Sequence, residues 1–118
     1  MMTNSIAGKT AIVGVGETRF SRGADPQATD LSLAVDASRA ALADCGLTSA
    51  DIDGLITPYM GALAEDLIAN LGLCNVSFVA QVNLGGASPV AALGYAAAAI
   101  VSGMATAVLI PTGWAGYS

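Results

Sequence analysis

The chain has 118 residues, four basic and nine acidic side chains, no histidine and a net charge of −5. Four unclustered basic residues cannot supply the phosphate neutralisation that dominates nucleic-acid affinity, and Cys45 and Cys74, without histidine or metal-ligand spacing, do not support a zinc site. At 54% hydrophobic and 11% charged, against about 25% charged in an average domain, the composition points to a piece of a larger layered structure rather than a free-standing unit.

Residues 10–15, short and β-branched, predict a buried first strand. The polar, Gly- and Pro-containing stretch 16–28 reads as a loop. Thr29 or Asp30 then caps a helix running to Cys45 and closed by Gly46. Leu31, Val35, Leu42 and Cys45 form its apolar stripe at helical spacing. Thr48 with Asp51 three residues later reads as a short capped turn. Residues 54–57 predict a second strand stopped by Pro58, and residues 62–71 a modest helix ended by Gly72.

Beyond Asp66 the chain carries no charged residue. Within this uncharged half, Val76–Val82 predicts a third strand, Pro89–Val101 a helix, and residues 105–110 a fourth strand broken by Pro111. The helix is apolar on every face, so it is expected to be the most buried element, flanked by parallel strands. Strand–helix alternation with apolar strands indicates a parallel α/β sheet. A helix apolar all round calls for sheets on both sides of it, more than 118 residues of this pattern build alone.

Lipid is the competing cover for residues 90–110, which are long enough to span a bilayer. Ala, Gly and Ser dominate that stretch and contribute little insertion free energy, and no Lys or Arg flanks it. A membrane span is therefore not expected. The N-terminus has no apolar run before Lys9 to serve as a secretory signal. Two free thiols without such a signal suit a reducing compartment, so a cytoplasmic location is expected.

Gly14 and Gly16 after a strand suggest a dinucleotide fingerprint, but the third glycine position is Arg19 and no helix opens there. A turn is the better reading. Gly85, Gly86 and Ser88 carry more. Ser88 as N-cap and Pro89 at the first helical position make a strong helix start. The free N–H groups there favour negative charge or a developing oxyanion. The plain alternative is a cap and a tight turn. Ser88 is a poor nucleophile because no histidine exists to activate it. Cys45 and Cys74 read as inert thiols, Tyr59, Tyr95 and Tyr117 as packing residues, and Glu17 with Arg19 as a solvated loop pair.

Several segments together resemble the thiolase superfamily, in particular the branch of sterol-carrier-protein-type thiolases and thiolase-like lipid-transfer proteins. Residues 11–21 (AIVGVGETRFS) look like its first strand and loop. Residues 33–47 followed by 51–56 are similar to its first helix and second strand. Residues 82–93 (VNLGGASPVAAL) fall where the family has its nucleophile-bearing Cys-Ala-Ser-Gly segment. The resemblance covers nearly the whole chain. It implies a thiolase-like α/β layered fold with a buried helix between sheets. Residues 1–118 would be its N-terminal portion, with the catalytic His and second Cys in an absent remainder.

The resemblance also implies a homodimer joined through the Val76–Val82 strand. Aligning Ala87-Ser88 with the family's Ala-Ser puts Gly86 at the nucleophile position. An acyl-enzyme needs that thiolate, so ordinary thiolase chemistry is not expected. The resemblance then implies retro-aldol cleavage of a β-hydroxyacyl-coenzyme A such as a steroid side-chain thioester, with a small OB-fold partner. Gly85, Gly86 and Ser88 would be substrate-binding, and the Gly86 N–H would be an oxyanion donor. Coenzyme A enters only as the substrate's thioester, with no cofactor or metal. A catalytically silent acyl-CoA-binding or scaffolding subunit is the alternative, and an Ala/Gly-rich membrane protein the third reading.

Overall fold

The computed structural model describes residues 7–19, 27–58 and 61–115. Helix α1, Asp30–Cys45, opens on a reciprocal cap. The Thr29 hydroxyl accepts the Ser32 N–H at 3.0 Å, and the Ser32 hydroxyl accepts the Thr29 N–H at 2.8 Å. Two of the orphan donors at a helix start are thereby satisfied. A short 3₁₀ turn, Ser49–Asp51, leads to strand β1, Gly54–Pro58. The Asp51 carboxylate there accepts the Thr48 N–H at 2.8 Å, as the spacing predicts. Helix α2 spans Ala64–Leu71, with Glu65 and Asp66 in its first turn, where the helix dipole favours acidic groups. Strand β2 is Phe78–Val82, helix α3 is Ser88–Val101 and strand β3 is Val108–Leu109.

The three strands form a parallel sheet in the order β2-β1-β3. Successive side chains of a strand face opposite sides, and β1 uses both for core. Leu55 joins α1 and α2 residues Val35, Leu42, Leu67 and Leu71. Ile56 joins Val82, Ala92 and Ala96 beneath α3. Leu55 and Ile56 are both 0% exposed, so β1 is the buried centre of a helix–sheet–helix arrangement.

Four expectations change. Residues 10–15 form no strand: Ile12, Val13 and Val15 stand 65–69% exposed. This segment instead lies along α1. The Val15 N–H donates to the Asp44 carboxylate at 2.9 Å, and a Cβ on Gly16 would collide with the α1 backbone at Ala37 and Ala41. A strand needs a neighbour to take its N–H and C=O groups, and none lies beside this one among the described residues. The Gly14 and Gly16 pair thus serves close approach to a helix, and the chain makes no turn at either position.

The fourth strand is shorter than residues 105–110. The Asp53 carboxylate takes the N–H groups of Thr106 and Ala107 at 2.9 Å and the Thr106 hydroxyl at 2.8 Å. Those amides are spent on a side chain, so the ladder starts only at Val108. Burial acts to raise the Asp53 pKa, but the bonds from Ala107 and Thr106 outweigh it and hold the carboxyl below its ordinary value. Similarly, the Asp53 carbonyl accepts Ser77 N–H at 2.9 Å and Phe78 N–H at 3.1 Å, which starts β2 at Phe78 rather than Val76.

Helix α3 is not the most buried element. Ser88, Ala92, Ala96 and Ala99 are buried, while Val90 is 74% and Tyr95 55% exposed. One sheet covers one face of an all-apolar helix. The opposite face has no second layer among the described residues. None of the described helices is long and apolar enough to cross a membrane.

Candidate functional site at the start of helix α3

In a parallel sheet with helices on both faces, the crevice beyond the carboxyl ends of the strands is the usual ligand site. The segment 83–87 leaves β2 at that end and turns into α3. Gly85–Ala87 is a 3₁₀ turn, closed by the Ala87 N–H donating to the Leu84 carbonyl at 3.2 Å. Gly85 has φ +58°, the left-handed region that glycine enters without steric penalty. Gly86 needs no such freedom. It is exposed, and a Cβ built on it meets nothing within 4 Å.

Ser88 departs from the expected N-cap. Ala87 is the cap residue and makes no side-chain bond, so Ser88 is the first helical residue and Pro89 the second. The Ser88 hydroxyl is buried and accepts the Leu84 N–H at 2.9 Å. It bridges the base of the turn instead of capping the helix. Gly85, Gly86 and Ser88 thus share one turn, with the two glycines outside and the hydroxyl underneath. Leu84 is the residue that sequence reasoning missed. Its only signal is that it lies four residues before a small hydroxyl side chain.

The turn carries no charged side chain, and α3 has no acid in its first turn. At the helix start the Ala87 N–H donates to the Leu84 carbonyl and the Ser88 N–H to the Gly85 carbonyl, and Pro89 has no N–H, so few of the free donors that give a helix start its positive field are left there. Beside it runs an open groove of about 290 Å³ lined by Ala80, Gln81, Val82, Asn83, Leu84 and Tyr95. Asp53, with its lowered pKa, sits at the opposite end of the strands, where it ties β1 to the start of β3.

Neither cysteine joins the site. Cys45 is half-buried on α1, its thiol donating to the Ala41 carbonyl at 3.4 Å, and Cys74 is exposed after α2. Tyr95 lines the groove, whereas Tyr59 and Tyr117 lie outside the described residues. No cluster of three His, Cys, Asp or Glu side chains suited to a metal occurs among the described residues. The turn contains no thiol.

No family model matches the chain. It is 36% identical over 105 residues to the 17-hydroxy-3-oxo-4-pregnene-20-carboxyl-CoA lyase of Mycobacterium tuberculosis, covering 88% of this chain and 27% of that protein. It spans about a quarter of the length of the curated relatives it matches. Among solved structures it superimposes on the Ltp2-ChsH2(DUF35) aldolase with a TM-score of 0.85 and 32% identity, over 92% of this chain and 28% of that one. A monomeric SCP2-thiolase-like protein type 1 from Mycobacterium smegmatis gives a TM-score of 0.68 and 27% identity, over 84% of this chain and 22% of that one. The parallel sheet, the helix leaving its carboxyl edge and these likenesses agree: the chain belongs to the thiolase superfamily, in its sterol-carrier-protein-thiolase-like branch.

Proposed function

We propose that the protein to which this chain belongs cleaves a carbon–carbon bond in a β-hydroxyacyl-CoA, such as a steroid side-chain thioester, by a retro-aldol reaction. The observation that carries this reading is Gly86. It lies open at the start of α3 with no thiol, in a chain 36% identical to a pregnene-carboxyl-CoA lyase. An acyl-enzyme needs a nucleophile, and retro-aldol cleavage does not. A base takes the β-hydroxyl proton, the Cα–Cβ bond breaks, and a carbonyl product leaves. The electron pair passes to the thioester as an enolate, which then takes a proton at Cα. Stabilising the enolate oxygen is work for backbone donors. The Gly86 N–H is our candidate donor, with Gly85 and Ser88 shaping the turn against the substrate. Coenzyme A is then a substrate moiety and not a cofactor.

The same reading includes a small OB-fold partner. Support comes from the neighbour whose name joins the aldolase to a second component, ChsH2. It also includes a homodimer through the Val76–Val82 strand. In its support, among the described residues β2 pairs only with β1, and its other edge has no strand beside it. Sedimentation of the full-length protein tests this, and a monomer, as the Mycobacterium smegmatis neighbour is by its name, would overturn the homodimer. The chain is read as the N-terminal portion of a thiolase-like domain in a cytoplasmic protein. Two cysteines without a disulfide agree with a reducing compartment.

The test is incubation of the full-length protein, with and without the OB-fold partner, with 17-hydroxy-3-oxo-4-pregnene-20-carboxyl-CoA. The expected result is release of a steroid ketone and a short acyl-CoA. Acyl exchange with free CoA through a covalent acyl-enzyme would overturn the reading. Binding without cleavage under both conditions would replace it with the silent acyl-CoA-binding subunit.

A further inference from the structure

We draw no further inference here: the strongest candidate, the apolar outward face of α3 with Val90, Leu93 and Val101 exposed, carries nothing because nothing in the structure shows what covers it.

Discussion

The buried hydroxyl of Ser88 accepts the N–H of Leu84 at 2.9 Å, joining the two ends of the turn that presents Gly86. Between them Gly85 takes the left-handed conformation, and the Ala87 N–H closes on the Leu84 carbonyl at 3.2 Å. The turn is held from below by one side chain and remains unobstructed above. That division leaves the Gly86 side of the turn open without loosening the backbone.

Replacing Ser88 with Ala leaves the part-buried Leu84 N–H without its acceptor. With Leu84 itself largely exposed, the loss is that of an ordinary hydrogen bond, roughly 0.5–1.5 kcal/mol. In the full-length protein, Ser88→Ala is expected to speed amide hydrogen exchange at Leu84 and lower the unfolding midpoint, and Ser88→Thr to restore much of both. Unchanged exchange at Leu84 would show that the bond does not hold the turn.

The two glycines are expected to separate under substitution. Gly85→Ala forces a Cβ into the left-handed region, at a cost of about 1–2 kcal/mol. Gly86→Ala meets open space, so stability is expected to be unchanged. On the proposed reading its methyl group crowds the acyl chain, lowering turnover more for bulky than for small β-hydroxyacyl-CoA substrates. Equal turnover by wild type and Gly86→Ala on both substrates would move the reaction away from this helix start.

Asp53 predicts an acid-sensitive contribution to stability. Its folded pKa is held below the ordinary value of 3.8, so the folded state binds the proton less readily than the unfolded chain. The contribution is therefore fully present above that ordinary value and is lost as pH falls through the lowered folded pKa. Asp53→Asn keeps the shape but loses the charge-assisted bonds. It is expected to lower stability at neutral pH and to flatten the acid limb of the stability profile. Denaturant titrations of both proteins between neutral and strongly acidic pH provide the check. An identical acid limb in the variant would mean that another group dominates.

The 118 residues expressed alone are expected to associate. Val90 at 74%, Ile12 at 67% and Trp114 at 78% exposure leave apolar surface of the kind that drives self-association when contiguous. Light scattering after size-exclusion chromatography measures this. A monodisperse monomer with cooperative unfolding would show that this surface is tolerated in water.

Local chemistry in the sequence determined a good part of this protein. The Thr29–Ser32 start of α1, the turn at Thr48 and Asp51, the glycines ending α1 and α2, and the parallel alternation of elements rest on neighbours within a few positions. So does the absence of a thiol at residue 86, which is an identity and needs no fold to read. Tertiary structure decided whatever depends on a distant partner. Residues 10–15 have strand composition, but a strand exists only beside another, and here α1 takes that segment instead. The side chain of Asp53, more than fifty residues away, sets where β3 begins by removing two amides from the ladder. The role of Ser88 turned on whether the nearer free donor was the first turn of its own helix or the Leu84 N–H arriving from β2. Burial of α3 depended on how many layers lie against it, a property of the assembled layers that the apolar pattern of the helix does not contain.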